Sequence, residues 1–88
     1  YQPIGGTVAD YQLTARSPEA LGQALARLRA KRGVTQDELA ESLGISRRYI
    51  YELEAGKPNL YATRIFELLR ELGAHIEIHA QVDDESQH

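Results

Sequence analysis

A serine and two adjacent arginines lie in the middle of this 88-residue chain, and their chemistry suits the recognition of base edges. A guanidinium can donate two hydrogen bonds to O6 and N7 of guanine, and such a pair discriminates between bases by roughly 1–3 kcal/mol. Ser46 is a preferred N-cap residue, so it predicts a helix whose first turn carries Arg47 and Arg48. Tyr51 follows Arg47 by four residues and would share its face. We therefore predict base contacts from Ser46, Arg47, Arg48 and Tyr51.

Three nearby residues are candidates for contacts with phosphate groups. Gln36 is expected at the N-terminus of the preceding helix, where free amides and the helix dipole favour an anion. Tyr49 and Lys57 are the other two candidate phosphate anchors. Such contacts fix the position of a protein on a duplex without reading its sequence. Taken singly, each residue also has an ordinary explanation as a solvated or core-shielding side chain, and only the joint pattern favours DNA binding.

Two short helices joined at a glycine must position these side chains. Thr35 with Glu38 three residues later has the capping-box form that starts a helix. Gly44 suits the tight turn, and Ser46 starts the second helix. Apolar residues recur at helical spacing through both segments: Leu39, Ala40, Leu43, Ile50 and Leu53. A helix pair of this kind can lay its second member in a DNA major groove.

Two longer helices are predicted to flank this pair. Ser17-Pro18 combines an N-cap serine with proline at the first helical position, and Gly33 is a suitable C-terminal cap. A fourth helix is expected to begin after Asn59 and to end at Gly73. The apolar faces of these two helices comprise Leu21, Ala24, Leu25, Leu28, Ile65, Phe66, Leu68, Leu69 and Leu72.

The two ends of the chain have different patterns. Residues 1–12 contain proline and two glycines and are expected to be mostly irregular, with a short extended piece at residues 13–15. Residues 76–82 alternate apolar and polar side chains, which predicts a strand whose partner is either the Leu13 region or a second chain. The chain thus divides into an N-terminal arm, a helix-turn-helix domain, a strand and an acidic tail: residues 1–16, 17–73, 74–82 and 83–88.

Charge is distributed unevenly, although the net charge is −3. Residues 16–57 carry eight basic and six acidic groups, whereas the rest of the chain carries two basic and seven acidic groups. A weakly basic helical unit can therefore bind DNA on one side. The negative total is the best support for an alternative, a protein-interaction module that does not bind DNA. The absence of cysteine excludes disulfides and fits a cytoplasmic protein, and no apolar run is long enough to span a membrane.

The remaining polar groups do not suggest catalysis. Glu54 is expected to pair with Arg29 and to join two helices. His75, Glu77 and His79 would share one face of the strand, and we interpret them as a solvated face rather than a metal site. No nucleophile with a base and an acid is visible, so we expect no enzyme, no cofactor and no metal.

The segment from Thr35 to Lys57 resembles the phage-repressor-type (Cro/XRE) helix-turn-helix superfamily. The resemblance lies in Thr35-Gln36, Glu38-Leu39-Ala40, Gly44-Ile45-Ser46 and Glu54-Ala55-Gly56-Lys57. Ser17-Pro18, the run from Arg64 to Gly73 and the following strand extend it towards HipB-like antitoxins. The resemblance implies an all-α, lambda-repressor-like domain of four to five helices with a C-terminal β-strand that pairs across a dimer.

The same resemblance implies a function. It implies a homodimer joined by its C-terminal strands, here Ile76, Ile78 and Ala80, that binds palindromic double-stranded operators and represses its own operon. It also implies a HipA-like kinase toxin as a partner. The alternative within the same superfamily is a stand-alone regulator without a toxin.

Overall fold

A computed structural model of the chain describes residues 8–83. In chain order the elements are β1 (Val8–Ala15), α1 (Pro18–Lys31), α2 (Gln36–Leu43), α3 (Arg47–Glu54), α4 (Leu60–Glu71) and β2 (Ile76–Asp83). The four helices expected from the sequence are confirmed. The described part is mainly helical, with a small antiparallel sheet formed by its two ends. None of its helices has the length and apolarity needed to cross a bilayer.

Local hydrogen bonds explain where the helices begin. The hydroxyl of Ser17 accepts a hydrogen bond from the backbone N–H of Ala20 at 3.1 Å. The side-chain oxygen of Asn59 accepts one from the backbone N–H of Ala62 at the same distance. Thr35 forms the complete capping box with Glu38, with bonds of 2.8 and 3.0 Å in the two directions. These bonds satisfy amides that a helix leaves without partners, which is why short polar residues predicted the starts.

The N-terminal segment differs from the sequence prediction. Residues 1–12 were expected to be mostly irregular, and this was wrong from Val8 onward, since β1 begins there. The strand pairs antiparallel with β2, with Leu13 opposite Ile78 and Ala15 opposite Ile76. Of the two partners considered for the C-terminal strand, the Leu13 region is therefore the one found within the chain. Residues 1–7 lie outside the described part, as does most of the predicted acidic tail.

The inner face of the sheet packs against α1. Ala15 and Val82 are buried there, while Ile78 and Ala80 are half-buried. The ammonium group of Lys31, at the end of α1, lies 5.7 Å from the centre of the Tyr11 ring, within the range of a cation–π contact. The sheet therefore packs mainly on α1, and Ile76 at the start of β2 lines a cleft with Tyr49 and Leu53 of α3.

The helices around α3 approach one another closely. A Cβ atom at Gly22 of α1 would lie 2.2 Å from the carbonyl oxygen of Leu53 and 2.8 Å from that of Glu54. Only a residue without a side chain fits this crossing. Gly44, between α2 and α3, has φ +69°, a left-handed conformation that favours glycine and sets the angle of the turn. These two glycines fix how α3 is presented.

Candidate nucleic-acid interface

Helix α3 has one buried side and one exposed side. Ile50 is buried in the core. Ser46 is the N-cap, and its hydroxyl accepts from the backbone N–H of Tyr49 at 3.1 Å. The side chains of Arg47 and Arg48, in the first turn, are 63% and 86% exposed. Tyr51 is also exposed, so the predicted base-reading residues lie in and directly after the first turn, accessible to solvent. Their contact with DNA stays a prediction.

Each of the two arginines faces a carboxylate. Nε of Arg47 lies 3.5 Å from Oδ1 of Asp37 in α2, and Nε of Arg48 lies 3.1 Å from Oε2 of Glu52. Both pairs are exposed and therefore contribute little to stability. Asp37 and Glu52 were not identified as site residues from the sequence. The i,i+4 spacing of Arg48 and Glu52 could have indicated the second pair, whereas the first depends on how α2 and α3 cross.

The predicted ion pair between α1 and α3 is present and has good geometry. Nε and Nη2 of Arg29 donate to the two carboxylate oxygens of Glu54 at 2.6 and 3.0 Å. Nη1 of Arg29 also donates to the backbone carbonyl of Val34 at 2.8 Å. The carboxylate side chain is only 9% exposed. The hydrogen bond from Arg29 lowers the pKa of Glu54 despite the opposing effect of burial, and the same bond raises the pKa of Arg29.

Gln36 belongs to this network. Its Nε2 donates to Oε1 of Glu54 at 2.8 Å, and this bond further lowers the pKa of Glu54. The side chain thus has a structural role that the sequence analysis missed, because it depends on a residue 18 positions away. Because the amide nitrogen carries two N–H donors, the bond to Glu54 leaves one for the phosphate contact of Gln36, which stays a prediction.

The other two predicted phosphate contacts lie near each other. Tyr49 and Lys57 are both exposed and line one small cleft of about 30 Å³ together with Glu52, Leu53, Pro58 and Asn59. This cleft lies between α3 and the loop that follows it. The arrangement brings a phenol and an ammonium group to one side of α3.

An open apolar groove of about 350 Å³ lies between α1, α2 and α3. Its apolar lining comprises Leu25, Leu28, Val34, Leu39, Leu43, Ile45, Ile50 and Leu53. The charged groups in this lining are Arg29, Arg32 and Glu54, of which the first and last bind each other. The groove therefore presents apolar surface rather than a reactive group.

The outer face of β2 carries the histidines considered in the sequence analysis. Nε2 of His75 and Nε2 of His79 each lie 3.2 Å from a carboxylate oxygen of Glu77. The hydrogen bond with His75, followed by that with His79, lowers the pKa of Glu77. Within residues 8–83 no group of three or more His, Cys, Asp or Glu side chains is arranged to hold a metal ion.

Comparison with known proteins places this geometry in context. Residues 25–78 match the family model described as Helix-turn-helix (HTH_3). Two uncharacterized HTH-type transcriptional regulators of Sinorhizobium fredii, y4mF and y4dJ, are each 35% identical to this chain. The matches cover 72% and 73% of this chain and 83% and 84% of the respective relatives. An uncharacterized HTH-type regulator of Archaeoglobus fulgidus is 42% identical over 65% of this chain and 81% of its own length. No solved structure matched the chain.

Replacing Glu54 should show how much the α1–α3 network contributes. In Glu54→Gln we expect a loss of about 2–4 kcal/mol in the free energy of unfolding at pH 7, since Arg29 would keep its charge without a carboxylate. The pKa of Glu54 is lower in the folded state, so its contribution is present above the ordinary value of 4.5 and disappears as the pH falls through the folded-state value. Urea denaturation should therefore show the two proteins converging below pH 4.5.

Glu52→Gln is the matched control for this measurement, because it removes a more exposed carboxylate from the same helix. We expect it to change the free energy of unfolding by less than about 0.5 kcal/mol. Equal losses in the two variants would contradict the role given to Glu54.

Removing the carboxylate that faces Arg47 should strengthen binding to DNA. Asp37→Asn keeps the size of the side chain but removes a negative charge next to the guanidinium. We expect affinity for any duplex to rise about three- to tenfold at low salt, with a smaller gain at high salt. Fluorescence anisotropy with two unrelated duplexes measures this effect. Asp10→Asn, on the sheet, is the charge-matched control and should change nothing; an equal gain there would remove Asp37 from the interface.

Proposed function

This chain belongs to the helix-turn-helix family and is an HTH-type transcriptional regulator of the XRE type, and on that premise we propose that it is a repressor that binds palindromic operators as a homodimer. The observation that carries the proposal is the pair of exposed guanidinium groups on the first turn of α3, a helix held in place by a partly buried ion pair. The mechanism needs no catalytic step, since occupation of the operator is sufficient to block transcription.

In the proposed complex α3 lies in the major groove. Ser46, Arg47, Arg48 and Tyr51 read base edges, with each arginine suited to guanine. Glu52 joins them, since a carboxylate can accept a hydrogen bond from N4 of cytosine. Tyr49 and Lys57 bind phosphates beside the groove. A guanine and a cytosine near each other in a half-site would engage the Arg48–Glu52 pair together.

The carboxylates favour selectivity over affinity in this complex. Arg47 is paired with Asp37 and Arg48 with Glu52. To bind a base, each arginine must give up hydrogen bonding to its carboxylate, so the net free energy gained from each base contact is smaller. Glu52 can accept a hydrogen bond from cytosine, but it cannot bind a phosphate group, because two negative charges repel each other. Binding to arbitrary sequences is therefore weak, and a matched site is needed to compensate for breaking the pairs.

Two copies are proposed to bind successive half-sites. Recognition helices of such dimers enter the major groove about 34 Å apart, one turn of DNA. One edge of β2 pairs with β1 in the same chain. A second copy that joins through Ile76, Ile78 and Ala80 would use the other edge of β2. The two-stranded sheet would then become a four-stranded one.

The more specific role, an antitoxin for a HipA-like kinase toxin, rests on Ser17-Pro18 and on a strand that directly follows the fourth helix. The relatives are named only as HTH-type transcriptional regulators. A stand-alone regulator is therefore the second candidate, and it uses the same α3 surface without a toxin. A protein-interaction module is the third candidate, supported by the negative net charge.

Two substitutions should separate base reading from phosphate binding. Arg47→Ala should relax the preference at one position of each half-site, with a cost of about 1–3 kcal/mol on the best sequence. Lys57→Ala should weaken binding to all sequences alike and reduce the slope of log affinity against log salt by about 1. Selection from a randomised duplex library, followed by titration at several salt concentrations, measures both effects. An unchanged preference in Arg47→Ala would refute its role, and salt-insensitive behaviour towards every duplex would favour the interaction module.

The antitoxin role predicts a stable complex with a kinase. If a kinase-like gene adjoins this one, its product should co-purify with the tagged chain and lose autophosphorylation activity in the complex. Arg47→Ala is the control, because it should impair operator binding and leave the kinase complex intact. A kinase that neither binds nor changes activity would leave the stand-alone regulator.

A further inference from the structure

Helix α4 exposes a row of large apolar side chains. Tyr61, Leu68 and Leu72 are 79%, 62% and 78% exposed, and Ile65 lies between them at the border of exposure. Phe66, on another side of the helix, is the residue that α4 buries. Tyr61 and Ile65 also line a cleft of about 200 Å³ that includes Leu21, Leu53 and Phe66, whereas Leu68 and Leu72 are largely open to solvent. Four such side chains in succession are unusual on a helix that faces only water.

The four residues form a straight seam. Their positions are separated by four, three and four residues, which is the spacing of the core positions in paired helices. At about 100° per residue they lie within an arc of roughly 60°. Phe66 lies about 130° away from the middle of this arc, so Leu68 and Leu72 lie off the buried side of α4, while Tyr61 and Ile65 border it. We call Tyr61, Ile65, Leu68 and Leu72 the α4 seam.

Charged residues border the seam in a self-complementary way. Arg64 and Glu71 both lie on the same flank, each one residue before a seam residue. When two such helices run antiparallel, these flanks face each other, so Arg64 of each copy lies beside Glu71 of the other. In a parallel pair Arg64 would instead face Leu69, which has no charge, and Glu71 would lie beyond the end of the partner helix. The pattern of charge therefore favours an antiparallel partner with this same sequence.

We propose that the α4 seam packs against the α4 seam of a second copy, in antiparallel orientation, with two Arg64–Glu71 pairs across the contact. The proposal rests on the homodimer of the proposed function and gives it a contact through α4 in place of the edge of β2 considered there. In the isolated chain Arg64 instead contacts Glu67, at 2.8 Å. That exposed pair is easily exchanged, because surface ion pairs contribute little. The base-reading side chains lie on a different helix, so the contact and the DNA surface use separate residues.

The size of the contact sets the expected strength. Stable interfaces bury at least about 1,200 Å² in total, and two helices of this length bury less. We therefore expect a reversible dimer with micromolar affinity in free solution. DNA with two half-sites should strengthen it, since binding one copy raises the effective concentration of the second.

Charge reversal provides a direct test by sedimentation velocity over a concentration series. Arg64→Glu leaves two acidic residues on the flank, and Glu71→Arg leaves two basic ones. Each variant alone should dimerise about tenfold more weakly than the wild type, because two attractive pairs become repulsive. An equimolar mixture should recover dimerisation, since each Glu then faces an Arg. Leu68→Glu should abolish the dimer, and Arg70→Glu, on the side of α4 away from the seam, should leave it unchanged.

The outcomes separate this proposal from the proposed function. Rescue in the mixture, with unchanged circular dichroism in each variant, supports the α4 seam, because a folding defect would not be rescued by mixing. Full dimerisation of Leu68→Glu overturns it, as does a wild type that remains monomeric both free and on a two-site duplex. In either of these cases, binding to a duplex with a single half-site still tests whether α3 binds DNA. A wild type that pairs by this charge pattern but binds no duplex would retain the seam and refute the repressor.

Discussion

The position of α3 depends on the ion pair between Arg29 and Glu54. The guanidinium binds both carboxylate oxygens and the carbonyl of Val34, so a single side chain links α1, the following loop and α3. Gln36 adds α2 through the same carboxylate. All three helices of the candidate interface thus meet at one charged group that is almost completely buried. A rotation of α3 would break several hydrogen bonds at once, which makes its outward face rigid, and rigidity is what a base-reading surface requires.

Local chemistry explains which features could be predicted from the sequence. A cap and the amide it binds are three residues apart, as at Thr35 and Ser46, so their pattern is visible in a short window. Only residues 13–15 of β1 were predicted, because the partner strand lies more than 60 residues away and the alternating pattern is short and preceded by glycines. The role of Gln36 was missed for a similar reason, since the sequence does not show how α2 and α3 cross. The pair of Arg29 and Glu54 was identified because the two residues have opposite charges and because the sequence already assigned each of them to a helix.

The electrostatics of the interface follow from the way the helices cross. The turn at Gly44 places the first turn of α2 next to the first turn of α3, and therefore places Asp37 beside Arg47. The carboxylate lies next to the guanidinium on the exposed face of the helix pair and would weaken its attraction to a phosphate. The two arginines of α3 thus face two carboxylates. Paired charges of this kind gain little from the release of counterions from DNA, which is the main source of non-specific affinity. The negative net charge of the chain acts in the same direction. In the proposed complex, affinity would therefore come from matched base contacts, and a second copy would double their number.

The small size of the chain relates folding to association. The buried apolar residues of the described part are Ala15, Ala24, Ala40, Ile50, Phe66 and Val82, and half of them are alanines. Such a core supplies little stability, while the exposed α4 seam carries larger side chains than the core itself. A second copy that covers the seam would bury apolar surface that is exposed in the single chain. Folding, dimerisation and occupation of two half-sites would then be thermodynamically linked, so the operator itself would stabilise the folded protein.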